Sequence, residues 1–478
     1  MTRHNHTILT EDVLLEIFDA YRQLHELQPD YEQAWNDKDG WLKLAHVCLH
    51  WRRVVFLSSS RLHVHLLLTP RRPWSPILRY LPNFPIYFDY TTVNASPLRW
   101  TEKEENLALA AISHRSRVRR ISLEQPCPPR VLQALSHSFP ELESLKLEIC
   151  AIYAYVPPKQ ISPTVFLSGS APCLRQLTLR VVVSEALSLL LSSTMRLEEL
   201  VLTLRVVRGS LPEASLIANL QCLSCLRRLE LELVYPHRFS HIPPPSTSTG
   251  DVVTLPRLTD FIFKGHGSYL QILVARLAAP SLQHLHIEHL GDSATFPIPQ
   301  LSNFICDTGC QFKVVHLDFL YWRAKFCAET LSKSDHARPL RITLFGDHCP
   351  WEQIGQMFSG PLSTVEELIV GREMPPSQTQ YQQDRIQWRE FFNRIRQVKI
   401  VRVHYQLALF VAHSLQRDDQ EPDLDLFPAL EQVNVYLPIR SNGKARYVSI
   451  RDTFEPFMAA RQQVGRPIRL LIDGLSWA

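Results

Sequence analysis

One arrangement of apolar positions keeps returning along this chain: an apolar residue, two intervening residues, a second apolar residue, one intervening residue and a third. It reads Val118-x-x-Ile121-x-Leu123, Leu142-x-x-Leu145-x-Leu147, Leu174-x-x-Leu177-x-Leu179 and Leu197-x-x-Leu200-x-Leu202. It continues as Leu226/Leu229/Leu231, Leu258/Phe261/Phe263, Leu282/Leu285/Ile287 and Val314/Leu317/Phe319. Weaker copies stand at Val365/Leu368/Val370, Ile395/Val398/Ile400 and Leu430/Val433/Val435, with a degenerate one around Ile342 and Leu344. The closing alternation is the period of a strand with one buried face. A proline two residues ahead of several copies (Pro140, Pro172, Pro256, Pro280, Pro428) suits a turn leading into a short strand. From Val118 to Leu430 the phrase recurs about every 28 residues. Helical spacing falls between copies at Val131/Leu132/Leu135, 186–191, Leu216/Ile217/Leu220, Leu270/Leu273/Leu277 and Phe454/Phe457/Met458. One strand and one return per repeat cannot bury its own apolar face, so the repeats must stack. A last strand is predicted at 468–472.

The first 60 residues follow a different period. Val13, Leu14, Ile17, Phe18, Tyr21 and Leu24 recur at helical spacing, behind Thr10 as a potential N-cap and Glu11 and Asp12 in the first turn. A second amphipathic stretch carries Trp41, Leu44, Val47, Cys48, Trp51, Val54 and Val55. A module this small cannot bury all of these side chains internally, so apolar surface is left for something else.

The two patterns each resemble a known family. The repeated phrase resembles the L-x-x-L-x-L of leucine-rich repeats over roughly three quarters of the chain. Only the copy from Leu142 to Cys150 has the full phrase ending in the Asn/Cys position, which implies an irregular solenoid. The opening Leu9-Thr10-Glu11-Asp12-Val13-Leu14-Leu15-Glu16-Ile17-Phe18, with the later W-x-x-L-x-x-V-C-x-x-W-R-x-V-V from Trp41 to Val55, resembles the F-box. It departs in having Thr10 where the family usually has proline and in a long connection over 28–40. The fold class implied is α/β, an N-terminal all-α F-box-like module followed by an irregular leucine-rich-repeat solenoid. The expected organisation is 1–68 helical, 69–115 a proline-rich connector leading into the solenoid, and 116–478 the repeats. By the F-box resemblance, Leu9, Val13, Leu14, Ile17, Phe18, Leu44, Val47, Cys48 and Trp51 contact the Skp adaptor of a cullin–RING ubiquitin ligase, some of them instead holding the helices together. By the repeat resemblance, residues between the buried strand positions line a concave, target-binding face: Lys146, Glu148, Arg180, Glu230, Glu232, Lys264, His286 and Tyr436, with Thr178, Val201, Thr203, Ile262, Glu288, Lys399 and Asn434.

Composition narrows the alternatives. A net charge of +4, with Lys and Arg scattered among Asp and Glu, gives no footprint for nucleic acid. No run approaches the 18 apolar residues that span a bilayer, the N-terminus has no apolar signal core, and the ten cysteines are dispersed. An intracellular protein, in cytoplasm or nucleus, is expected. Residues 156–163, 236–256 and 372–387 read as inserted loops.

Chemistry-bearing motifs are scarce. There is no phosphate-cradling glycine loop, GxSxG elbow or HExxH. His284, His286 and His289 crowd one strand, but strand alternation sends the third to the opposite side from the first two. Cys222 and Cys225 form a lone CxxC, and Cys306 and Cys310 have no adjacent histidine. The expectation is a non-catalytic receptor without metal or cofactor, contacting neither nucleic acid nor membrane. It would tether an unidentified target protein to the ligase, of a kind abundant in fungi. A protein-interaction scaffold with a degenerate F-box is the alternative.

Overall fold

The computed structural model describes residues 9–26, 40–69, 84–90, 100–123, 127–148, 167, 171–182, 185–205, 213–234, 252–289, 298–306, 311–320, 323–330, 341–347, 359–372, 389–416, 426–436, 444–472 and 475–477. The chain divides into two compact units, residues 1–210 and 211–478. Outside the described residues lie the expected loop at 156–163, most of those at 236–256 and 372–387, the long connection over 28–39, the proline-rich residues 70–76 and Cys310.

The first unit opens with α1 (Glu11–Glu26), α2 (Gly40–Val47) and α3 (Leu49–Leu57). Leu14 and Phe18 from α1 are buried, as are Trp41, Leu44, Val54 and Val55 from the other two helices, and Phe18 meets Trp51 edge-on at 5.0 Å. Cys48 separates α2 from α3. Its backbone is extended, and its Sγ accepts the N–H of Trp51 at 3.5 Å as an N-cap. Arg61, just past α3, donates to Glu16 and Asp19 of α1, both at 2.8 Å. Phe84 then joins this module to the strands, edge-on to Trp41 at 5.6 Å and to Phe56 at 5.2 Å.

Six parallel strands follow: β1 (Leu66–Leu68), β2 (Ile86–Tyr90), β3 (Val118–Leu123), β4 (Ser144–Glu148), β5 (Gln176–Val182) and β6 (Glu199–Arg205). Their returns include α4 (Glu102–Ser113), α5 (Pro129–Ala134) and α6 (Glu185–Ser193). The sheet therefore starts at Leu66, not near residue 116, and the segment 69–115 contributes a strand and a helix. β2 buries Ile86, Phe88 and Tyr90 by plain alternation, without the leading apolar position that marks the later copies. Helix α4 begins with a capping box, Thr101 with Glu104, and buries Ala108, Ala111 and Ile112.

The repeat phrase is longer than its sequence form. In nine repeats a buried residue stands three positions ahead of the first apolar residue of the phrase, and its carbonyl accepts that residue's N–H. Phe139 receives Leu142, Ala171 receives Leu174, Thr194 receives Leu197, and the same turn recurs at Leu223, Leu255, Ala279, Leu362, Ile395 and Phe427. Each repeat thus turns through a bond that satisfies its own backbone in the dry interior. This also corrects one copy. Ile395 occupies the turn position, Val398 the first phrase position, and the strand buries Val401 and Val403. Lys399 consequently lies ahead of the strand, paired with Glu366, and not in the row between the buried strand positions where the sequence places it.

The second unit carries β7 (Arg228–Val234), β8 (Val253–Thr254), β9 (Asp260–Gly265), β10 (Leu277–Ala278), β11 (His284–His289), β12 (Val314–Leu320), β13 (Arg323–Glu329), β14 (Arg341–Asp347), β15 (Glu367–Arg372), β16 (Ile400–His404), β17 (Gln432–Tyr436), β18 (Arg469–Ile472) and β19 (Leu475–Trp477). Its helices are α7 (Glu213–Gln221), α8 (Gly267–Arg276), α9 (Ile298–Cys306), α10 (Ser359–Leu362), α11 (Tyr405–Leu415) and α12 (Lys444–Gln463). β8 and β10 form a separate two-stranded ribbon.

The main sheet of this unit departs from consecutive stacking at one place. β11 pairs with β9 on one side and with β14 on the other, β14 and β12 flank β13 antiparallel, and β12 pairs parallel with β15. The expected order, in which the copy at Val314 follows the one at Leu282, is overturned. The degenerate copy at Leu344 takes the seat beside Ile287, because the chain doubles back between β12 and β14. Alternation survives the reversal: Ile287, Leu344, Phe326, Leu317 and Val370 stand in register and are buried. The result is a mixed α/β protein built on a long, mostly parallel sheet of repeats.

Candidate binding surfaces

The N-terminal helices divide their apolar residues between core and surface. Leu14, Phe18 and Leu44 are buried, and Trp51 is half-buried against Phe18. Leu9, Val13, Ile17 and Leu24 are exposed, from 39% at Ile17 to 65% at Leu24. The last three form one stripe of α1, because residues separated by four and seven positions share a helix face. Val47, Cys48 and Leu49 are exposed at the joint between α2 and α3, with Leu49 at 78%. The His50 imidazole lies 3.2 Å from the Leu9 carbonyl, which fixes the start of α1 beside α3. The nine residues of the sequence expectation are thus five on the surface, three in the core and one between.

On the sheet of the first unit, Lys146, Thr178 and Val201 stand in register between buried leucines, and Glu148, Arg180 and Thr203 form the next row. Arg180 pairs with Glu148 at 3.4 Å, an exposed contact of small energetic weight. Thr203 is buried.

The second unit holds a cleft of about 370 Å³ over four strands. Ile262, Leu285, His286 and Thr343 line it, with Arg228, Glu230, Asp260, Lys264 and His284. Arg228 pairs with Glu230 at 3.0 Å, and His284 Nδ1 lies 2.9 Å from Asp260. Glu232, Lys264 and Glu288 stand in one register row. Burial holds the His286 imidazole below its ordinary range; Glu288 and Glu230 oppose that shift, while Lys264 and Lys325 reinforce it. His286 therefore presents a neutral ring at neutral pH. His289 is buried on the opposite face of β11, so the three histidines do not converge.

Sequence reasoning missed the residues that the reversed strands bring to this face. Thr343, Cys327 and His316 continue the row of His286, and Cys327 Sγ lies 3.0 Å from Thr343 Oγ1. Arg402 and His404 replace Lys399 once the phrase is shifted. No local signal marked the first group, since their adjacency depends on strand order.

Farther along, Tyr436 Oη lies 3.4 Å from the Val370 carbonyl and its ring meets His404 edge-on at 5.3 Å. Asp318 and Tyr436 close over Gly371, where an added Cβ would collide with Asp318 Oδ1. Burial, and then the Asp318 charge, raise the Tyr436 phenol above its ordinary pKa.

Among the described residues, no group of three or more His, Cys, Asp or Glu side chains is placed to hold a metal ion, and no helix is long and apolar enough to cross a membrane. No family model matches the chain, and no curated protein does. Among solved structures it is similar to the leucine-rich repeat-containing protein LegL7 from Legionella pneumophila. The likeness is 12% in identity, covers 70% of this chain and 96% of that one, and has a TM-score of 0.27.

Proposed function

We propose that the chain is a receptor subunit of an SCF-type ubiquitin ligase, docking a Skp adaptor through its N-terminal helices and a target protein through its repeat sheet. The observation that carries this reading is the exposed apolar stripe Val13, Ile17 and Leu24, with Leu9, Val47 and Leu49 also exposed, on a module whose core is already closed by Leu14, Phe18, Trp41 and Val55. Clustered apolar side chains on the surface of a small module mark a place where another protein sits. The pattern of the F-box in the sequence supplies the identity of that protein. The mixed charges of the sheet face suit protein recognition, and catalysis would belong to other subunits, this chain contributing proximity.

Co-expression with the host's Skp adaptor and size-exclusion chromatography tests the reading. A one-to-one complex that recruits cullin supports it. A folded chain that elutes alone overturns it, and a complex that fails to recruit cullin replaces it with a non-ligase scaffold.

A further inference from the structure

The face of β7, β9 and β11 that forms the cleft carries a surplus of negative charge, four carboxylates against two full cations. Lys264 stands in register between Glu232 and Glu288, one ammonium set between two carboxylates. Arg228 is spent on Glu230 at 3.0 Å. Among the described residues, Asp260 has no Lys or Arg within ion-pair distance; it accepts from His284 Nδ1 at 2.9 Å and from the Thr259 hydroxyl at 2.5 Å. Arg341 and Glu329 continue that row with one charge of each sign. A carboxylate only accepts, so the His284 proton lies on Nδ1, and Nε2 of the neutral ring is a further acceptor. Ile262 and the His286 ring, kept neutral by burial, line the same cleft. Acceptors under surplus negative charge, beside an apolar side chain and a neutral aromatic ring, are complementary to a guanidinium on its aliphatic stem.

We infer that this cleft receives an arginine from an extended segment of the target, its guanidinium held by Asp260, Glu230 and His284 and its stem lying on Ile262. The inference rests on the reading of the repeat sheet as the target-binding face and names the chemistry of that target. A guanidinium fits better than an ammonium, because its planar fork donates to several acceptors at once and stacks on the His286 ring. An acidic side chain would instead be repelled by Glu230 and Asp260, and Lys264, already between two carboxylates, does not offset that.

Fluorescein-labelled hexaarginine, hexalysine and hexaglutamate peptides, titrated with the full chain and followed by anisotropy, test it. The chain carries a net charge of +4, so non-specific attraction favours the acidic peptide and works against the expected result. Hexaarginine should bind tightest, with an affinity that falls as salt rises; hexalysine should bind several-fold more weakly, and hexaglutamate should not saturate. Asp260→Asn should weaken hexaarginine about tenfold, the loss of one charge-assisted contact. His286→Ala should weaken it several-fold, Lys264→Gln should strengthen it, and Glu455→Gln on exposed α12 should leave it unchanged. Circular dichroism on each variant establishes that it is folded. Equal binding of hexalysine, preference for hexaglutamate, no binding of hexaarginine at millimolar concentration, or folded Asp260 and His286 variants that bind as the native chain does would each overturn the inference. Adaptor co-elution on the same preparation separates the two readings: an adaptor complex without hexaarginine binding sinks the inference alone, and hexaarginine binding without an adaptor complex sinks the receptor reading alone.

Discussion

Leu14 and the pair Val13/Ile17 are neighbours in sequence and opposite in consequence. Leu14 is fully buried, so Leu14→Ala removes packing from a small core and leaves a cavity, at a cost of about 2–5 kcal/mol. Val13 and Ile17 are 45% and 39% exposed, so in the free chain their truncation removes only part of a buried side chain, about 1 kcal/mol for both together. Docking an adaptor reverses the order. Burying the exposed two-fifths of both side chains contributes about 0.6–1.2 kcal/mol each, so Val13→Ala with Ile17→Ala should weaken adaptor binding by roughly 7- to 50-fold. The assay pairs urea unfolding with isothermal titration of the adaptor into the full chain. Leu14→Ala should lower the unfolding midpoint of the helical module, and the double variant should leave it nearly in place while losing the adaptor. The reasoning fails if the double variant binds as tightly as the native chain. It fails equally if Leu14→Ala, shown folded, proves no less stable.

Other outcomes follow from single sites. Gly371→Ala forces Asp318 Oδ1 aside and should cost about 1 kcal/mol, a penalty absent when Asp318→Ala is already present; additive effects in the unfolding cycle would show that the two do not touch. Thr101→Ala opens the capping box of α4 and should destabilise the first unit by about 0.5–2 kcal/mol in urea unfolding. The Cys127 thiol, pushed up to about 12 by burial and then by Glu148, should resist alkylation at pH 8 while exposed Cys48 and Cys222 react, as peptide mapping by mass spectrometry would read. Because burial depresses the folded-state pKa of His286, the unfolded chain binds its proton more readily. Stability should fall as pH drops from about 6.5 through that depressed value, and His286→Gln should flatten this loss in thermal melts.

Strands were legible wherever three buried residues in the phrase recur, because alternation under a sealed core leaves little freedom of register. Leu142, Leu145 and Leu147 show this, each at most 1% exposed. The phrase failed where its first position is supplied otherwise. β2 relies on Ile86, Phe88 and Tyr90 alone, and Val398 was assigned to the wrong slot because Ile395 mimics a leading apolar residue. Burial also sorted Val13 from Leu14, which the sequence could not, since both sit on the apolar arc of one helix. The partners of His286 across β14 and β13 were illegible for a different reason. Strand order is a non-local property, and Leu282, Val314 and Leu344 look alike in local pattern.

The doubled-back strands make part of this array indivisible. A stack of identical repeats folds like a zipper and can be shortened one unit at a time, because each member depends only on the next in sequence. Here β11 must wait for β14, more than fifty residues downstream, and β12 meets a parallel neighbour only when β15 arrives. Closing those loops costs entropy before any strand pairing returns it, so this stretch should form late and all together. Deleting the repeat at β12 would strip β13 of one partner and leave β15 facing a gap. Natural shortening or engineering of the array must therefore remove β12, β13 and β14 as a block, or none of them.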